Sequence, residues 1–419
     1  MWHGPRAFAT RSNGEGVHVA AKQLKCRECG TEYPLEARYV CSRCFGPLEV
    51  GYDHAPPADV GEVRRRIQGG PQNMWRYHDF LPLEGPQPRT RTGLPAGCTP
   101  LIRADRLAER LGLGEVWVKN DAANPTHSFK DRVVSVAATR ARELGFDTLA
   151  CASTGNLANS VAAHGAALGM ASYVLIPADL EEQKVLATGV YGTNLVRVRG
   201  NYDDVNRLCT ELSGDRENWA FVNINMRPYY AEGSKTVAYE IAEQLGWELP
   251  DRVVVPIASG SLYTKIAKGF EEFIDVGLVD GDVPTMNGAQ ATGCSPVATA
   301  FRDGKDFCRP VKPHTIAKSL AIGNPADGPY ALDLARSTGG SIDSVNDQEI
   351  RAGIRLLAET TGVFTETAGG VTTAVLQKLA ETGRIGPDER VVLVITGEGL
   401  KTLDAVRHSF MDYEVDPSI

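Results

Sequence analysis

The sequence predicts an α/β protein of two parallel sheets, each between helix layers, with a small four-cysteine ribbon in front. Three observations lead there. Two C-x-x-C pairs lie close together near the start, at Cys26/Cys29 and Cys41/Cys44. A proline-rich stretch follows them. From about residue 99 onward, short β-branched runs alternate with helical patterns, as parallel strands covered on both faces require.

The bulk composition narrows the function classes. A chain of 419 residues is long enough for two or three packed units. Charged residues at 23% and apolar residues at 42% are ordinary for a globular protein. No apolar run is long enough to cross a bilayer, so no membrane is expected. Met1–Gly16 lacks the apolar core of a secretory signal and reads, within 1–23, as a tail. The net charge of −8 argues against nucleic acid as a partner. An anionic substrate would then need a local basic pocket.

Residues 24–52 read as a zinc ribbon. Each two-residue gap lets both thiolates of Cys26/Cys29 and of Cys41/Cys44 face one point, and Gly30 and Gly46 supply the turns. Four sulfurs close the shell, so the expected Zn2+ is structural. The other cysteines, at 98, 151, 209, 294 and 308, have no framework spacing. That pattern suggests a reducing compartment, the cytoplasm.

Residues 53–98 read as an irregular arm broken by Pro56, Pro57, Pro71, Pro82, Pro86, Pro88 and Pro95. Its one expected regular element is a helix over Asp59–Ile67. The body spans 99–402, with a tail at 403–419. Strands are expected at Val116–Lys119, Thr148–Ala152, Ser172–Ile176, Leu195–Val198, Ala220–Ile224, Val253–Ile257 and Val391–Thr396. Helices are expected at Leu157–Leu168, Asp203–Leu212, Thr236–Leu245, Tyr263–Val276, Asp347–Thr360 and Val371–Glu381. A smaller domain at about 130–230 is expected to sit inside a larger one made of 99–129 and 231–402.

The chemistry centres on Lys130, in N-P-T-H-S-F-K-D-R. A lysine at a helix head is pushed toward its neutral, nucleophilic form by the helix's positive end. Ser128 and Asp131 have capping-box spacing around it. Ligands of parallel sheets sit at the strands' carboxyl ends, where three loops qualify. Ser153-Thr154-Gly155-Asn156 offers hydroxyls, backbone and an amide. Ala258-Ser259-Gly260-Ser261-Leu262 is small enough to close around a phosphate. Thr396 places a hydroxyl at the end of the last strand. A nucleophilic lysine, phosphate cradle, amide loop and strand-end hydroxyl together describe a site for pyridoxal 5′-phosphate.

At this point the chain resembles a known family. N-P-T-H-S-F-K-D-R, C-A-S-T-G-N at 151–156, A-I-G-N-P-A-D-G at 321–328, E-T-A-G-G at 366–370 and T-G-E-G-L-K-T at 396–402 resemble threonine synthase. These are fold-type II pyridoxal-phosphate enzymes, similar to the tryptophan synthase β-subunit. The resemblance covers about 90–402, and the ribbon resembles an extension carried by some members. It implies a lyase of threonine biosynthesis that converts O-phospho-L-homoserine and water to L-threonine and phosphate, working as a homodimer. It gives Lys130 the Schiff-base position, Asn156 the cofactor's 3′-oxygen and Thr396 the pyridine nitrogen. Ser153, Thr154 and Gly155 take the substrate carboxylate, and 258–262 the cofactor phosphate, although this loop departs from the family's glycine-richer pattern.

A substrate phosphate needs a second anion site. Asn225, Arg227 and Lys235 are the candidates, Arg227 as a bidentate donor and Lys235 as a point charge. His127 stands where glycine is common in the family, and is expected to wall the site rather than move protons. A threonine/serine dehydratase, or a β-replacement synthase forming cysteine or cysteate, would need Lys130 and Asn156 but not the Arg227/Lys235 pocket.

Overall fold

The structure, a computed structural model, describes residues 20–53, 55–83, 93–200, 202–407 and 410–417. The tail Met1–Gly16 and the prolines at 86 and 88 lie outside the described residues.

The ribbon is a three-stranded antiparallel sheet: β1 (Ala20–Cys26) in the middle, flanked by β2 (Glu32–Tyr33) and β3 (Leu48–Asp53). Gly30 takes the left-handed turn of the first knuckle at φ 71°, but in the second it is Phe45, at φ 61°, and not Gly46. Gly46 is needed for closeness instead. A Cβ there would lie 2.9 Å from the Cys26 sulfur and 2.6 Å from Glu28.

The arm departs further from expectation. Its helix runs Val60–Gln68, with the Asp59 carboxylate accepting from the Glu62 amide at 3.0 Å. A second element, the 3-10 helix Met74–Phe80, was not expected. It drives Tyr77 and Phe80 into the core, where their ring centroids lie 5.3 Å from Tyr239 and 5.2 Å from Phe273 respectively. Aromatic burial on this scale makes the arm part of the body's core.

The body's strands are β4 (Leu101–Arg103), β5 (Glu115–Asn120), β6 (Thr148–Ala152), β7 (Ala171–Pro177), β8 (Asn194–Val198), β9 (Trp219–Phe221), β10 (Arg252–Pro256), β11 (Thr285–Ala291), β12 (Ile342–Val345) and β13 (Arg390–Ile395). The larger sheet has the order β12-β11-β10-β13-β5-β4, parallel except for the edge strand β4. The smaller is β8-β7-β6-β9, all parallel. Its strands fall between β5 and β10 in sequence, so the chain leaves the larger sheet at β5 and returns at β10.

Both sheets are buried on two faces, and the strands show why. Along β13, Val391, Leu393 and Ile395 join one apolar cluster while Val392 and Val394 join another. Along β6, Leu149 and Cys151 face one layer, Ala150 and Ala152 the other. Period-two alternation with apolar residues at every position is what a doubly covered parallel strand needs. The expected strand over Ala220–Ile224 stops early. The Ile224 amide turns back to the Phe221 carbonyl at 2.9 Å, and Arg227–Glu232 forms a short helix.

Candidate active site

The parallel strands β5, β13 and β10 lie side by side and end on one edge of the larger sheet. β5 leads into residues 121–129 and the helix Lys130–Glu143, which puts Lys130 at that edge. The expected capping box is not formed. The Ser128 hydroxyl is buried without a partner, and Phe129 is the N-cap residue with no side-chain cap. Asp131 turns its carboxylate backward, accepting from the Thr126 amide at 2.6 Å, the Thr126 hydroxyl at 2.7 Å and Ser160 at 2.7 Å. These bonds brace the loop from within, which stabilises it better than an exposed cap would.

The end of β13 holds this loop in place. The Phe129 amide donates to the Thr396 carbonyl at 3.0 Å, and the Glu398 amide donates to the His127 carbonyl at 3.2 Å. His127 is exposed at φ 60°, so the backbone there favours the glycine that the family pattern suggests. The half-buried Lys130 Nζ donates to the Tyr230 hydroxyl at 2.9 Å and lies 4.6 Å from the Phe129 ring centroid.

The smaller sheet meets the larger one through Asn156, the first residue of the helix Asn156–Leu168 after β6. Its Nδ2 donates to Glu366 at 2.9 Å, and its Oδ1 accepts from Lys401 at 2.7 Å. Lys401 also donates to the Thr126 carbonyl at 2.6 Å. Burial raises the Glu366 carboxyl above its usual range, while Asn156, Lys401, Lys130 and Thr396 pull it back. Burial likewise lowers the Lys401 ammonium, with Glu366 opposing. The structure therefore gathers Lys130, Asn156 and Thr396 and adds three groups the sequence did not single out: Tyr230, Glu366 and Lys401. Glu366 and Lys401 sat inside quoted motifs, but Tyr230 gave no signal of its own.

Ser153, Thr154 and Gly155 line the same strand-end loop, and Ser153 is buried. On the next strand over from β13, the loop Ala258-Ser259-Gly260-Ser261-Leu262 ends β10 and opens the helix Ser261–Asp275. That helix has no side-chain cap, save a 3.4 Å contact from the Ser261 amide to the Ser259 hydroxyl. Gly260, at φ 98°, packs against Asp327, where a Cβ would fall 2.8 Å from the carbonyl oxygen.

The second anion site is corrected in part. Lys235 is fully buried and already bound by Glu232 at 2.7 Å, Glu272 at 2.9 Å and the Phe80 carbonyl at 3.0 Å. It has no surface to offer a ligand. Its apolar neighbours at helical spacing draw it inward, and spacing alone did not reveal the acids that meet it. Arg227 remains half-buried and donates to Asp327 at 2.9 Å. Asp327 in turn donates its amide to the Ser259 carbonyl at 2.8 Å. Arg227 is thus tied to the 258–262 loop, and the two anion sites are not independent. Asn225 donates to the Trp219 carbonyl at 3.1 Å, and its Oδ1 is buried without a partner.

The donor set fits pyridoxal phosphate. A primary amine, an unpartnered serine hydroxyl two residues before it and an uncapped helix N-terminus share one edge of the larger sheet, and the Asn156 amide of the smaller sheet reaches that edge through Glu366 and Lys401. In the ribbon, the sulfurs of Cys26, Cys29, Cys41 and Cys44 all lie within 4.8 Å of one another. Two of the separations are 3.4 Å and 3.6 Å, close to the roughly 3.8 Å between sulfurs of a tetrahedral zinc thiolate.

Comparison with known proteins agrees with this geometry. The family described as pyridoxal-phosphate dependent enzyme matches residues 93–397. The threonine synthase of Methanocaldococcus jannaschii is 41% identical over 386 residues, 91% of this chain and 93% of that protein. That of Methanosarcina acetivorans is 40% identical over 90% of this chain and 92% of its own length. In fold, the chain is similar to threonine deaminase isoform 2 from Solanum lycopersicum, with TM-score 0.62, 20% identity and coverage of 83% and 92%. Cysteine synthase from Entamoeba histolytica gives TM-score 0.62 at 18% identity, with coverage of 80% and 96%. With its Lys130 edge, its paired parallel sheets and these relatives, the chain belongs to the pyridoxal-phosphate dependent lyases and, among them, to the threonine synthase family.

Proposed function

We propose that the chain converts O-phospho-L-homoserine and water to L-threonine and phosphate, with Lys130 as the proton carrier. The observation that supports this best is the placement of the Lys130 amine, 2.9 Å from the Tyr230 hydroxyl, at the edge where the two sheets meet. Bound pyridoxal phosphate supplies the electron sink that makes the substrate's Cα and Cβ protons acidic. Lys130 would hold it at its aldehyde carbon and Thr396 at its pyridine nitrogen, the 258–262 loop would bind its phosphate, and Asn156 would face the ring oxygen.

The chain's own groups do the rest. Ser153, Thr154 and Gly155 receive the substrate carboxylate at the head of a helix. Arg227, with Asn225, receives the γ-phosphate. Lys130 removes the Cα proton, a second proton leaves Cβ, and phosphate departs from Cγ with its bonding electrons. Protonation at Cγ, addition of water's hydroxyl at Cβ and return of a proton to Cα then complete threonine. Tyr230 keeps the amine aimed by accepting one of its N–H hydrogen bonds.

Cys26, Cys29, Cys41 and Cys44 hold a structural zinc ion in this reading. The protein works in the cytoplasm as a homodimer, as the resemblance and the scattered thiols suggest. No described helix is long and apolar enough to cross a membrane. The deciding assay supplies O-phosphohomoserine and scores phosphate release and product identity together. Phosphate without threonine, or faster turnover of serine, would assign the chain to the dehydratase or β-replacement chemistry instead.

A further inference from the structure

We propose that Glu366 and Lys401 are positioning residues that fix the Asn156 amide in one orientation, leaving it only an N–H to present to a ligand oxygen. This rests on the proposed placement of Asn156 at the cofactor's ring oxygen. The two ends of an asparagine amide have nearly the same shape but opposite chemistry, so a free amide can turn either way. This one cannot. An ammonium only donates, so Lys401, at 2.7 Å, must face Oδ1. The Glu366 oxygen at 2.9 Å accepts, and so takes Nδ2. Both bonds involve a charged group and are stronger than neutral ones.

The two clamps are themselves held. Lys401 has a second bond, to the Thr126 carbonyl at 2.6 Å in the lysine's own loop. Glu366 is 4% exposed and precedes the helix Thr367–Glu381, its amide bound to the Gly397 carbonyl at 3.1 Å. Gly397 leaves the carboxyl no slack, since a Cβ there would sit 2.5 Å from the Glu366 carboxyl carbon. The burial that raises Glu366 and lowers Lys401 is consistent with two groups kept away from bulk water.

What remains is selective. An amide nitrogen carries two hydrogens, and Glu366 takes one. The second has no partner among the described residues, and Asn156 is only half-buried. The group it favours is an acceptor oxygen, best an ionised aryl oxygen. A ligand presenting a donor at that point meets another donor and is disfavoured.

The test uses the holoenzyme and a double-mutant cycle read by the absorbance of bound cofactor, its dissociation in dialysis and the split between kcat and KM. Lys401→Met and Glu366→Ala should each shift the visible band, speed cofactor loss and lower kcat by roughly tenfold or more. Glu366→Gln keeps an acceptor oxygen and should fall between Glu366→Ala and wild type. In an Asn156→Ala background, Lys401→Met should change the band and the dissociation rate little further, because both act through one amide. The proposal is overturned if Lys401→Met leaves the band unmoved, or if its effect is as large without Asn156 as with it. A wild-type protein that binds pyridoxal phosphate but releases no phosphate from O-phosphohomoserine would refute the substrate assignment alone, and the absorbance cycle would still decide this one.

Discussion

The Lys130 amine and the Tyr230 hydroxyl are hydrogen-bonded at 2.9 Å, although they come from different helices 100 residues apart. The tyrosine's helix, Arg227–Glu232, is also the one that carries Arg227. Tyr230→Phe should keep the cofactor and the fold but lower kcat by about tenfold, with one limb of the pH–rate profile displaced. A profile of unchanged shape at lower height would reduce Tyr230 to packing.

Lys130→Ala should abolish turnover and leave the fold intact, because the residue is only half-buried and caps nothing. Borohydride should fix cofactor to wild-type protein and not to this variant. Near-normal activity would end its assignment as the catalytic amine.

Arg227→Ala should cost about 2–3 kcal/mol in kcat/KM for O-phosphohomoserine. Asp327→Ala should act differently. It frees the guanidinium for substrate while keeping the backbone and Cβ against which Gly260 packs, so cofactor affinity should fall only through loss of the Arg227–Asp327 bond. Cofactor binding unchanged from wild type in both variants, measured by dialysis, would break the proposed link between the two anion sites.

Glu240 makes acid sensitivity predictable. Burial pushes its carboxyl up, but Arg132 at 2.6 Å and Lys119 at 2.7 Å overcome this and hold it at about 2 against an ordinary 4.5. A depressed carboxyl contributes stability that is present above its unfolded value and is lost as pH falls through its folded one. Unfolding should therefore steepen between about pH 4.5 and pH 2. Glu240→Gln should flatten that window while costing roughly 3–5 kcal/mol at neutral pH, since it leaves Lys119 without a carboxylate partner and Arg132 with Asp121 alone. Chemical denaturation across the pH range measures both.

Cys41→Ser should release one equivalent of metal and loosen the ribbon, with activity affected only indirectly. Metal analysis beside kcat checks this. Activity lost with folding unchanged and restored by zinc alone would make the ion catalytic.

The body was legible where pattern and position coincide. Thr148–Ala152 matches β6 residue for residue, and Asp347–Thr360 stops one residue short of the helix end. β11 was missed because Asn287 and Gln290 interrupt its apolar run. Both are satisfied only by tertiary partners: Asn287 accepts from Arg252 at 3.1 Å, and Gln290 accepts the amides of Val297 and Ala298. The site followed the same logic. Lys130, Asn156 and Thr396 sit at strand ends and helix heads, where local sequence fixes their place. Glu366 was overlooked because its partner Asn156 is distant in sequence, and Lys235 was misplaced because Glu272, 37 residues on, joins the nearby Glu232 in burying it.

The ribbon contributes something a detachable module would not. Lys265, Lys268 and Lys235 converge on Glu232, a carboxyl with no exposed surface. Three cations around one acid leave an excess of positive charge, and Glu272 pairs with Lys235. The deficit is met from outside the body. Glu49, on β3, pairs with Lys265 and lies 3.0 Å from Lys268, and Tyr52 donates to Glu232 at 2.7 Å. The four-cysteine unit is therefore a counter-ion for the catalytic body. Removing the ribbon would leave Lys265 and Lys268 to share Glu232 with Lys235, in a place where water cannot easily replace the lost charge.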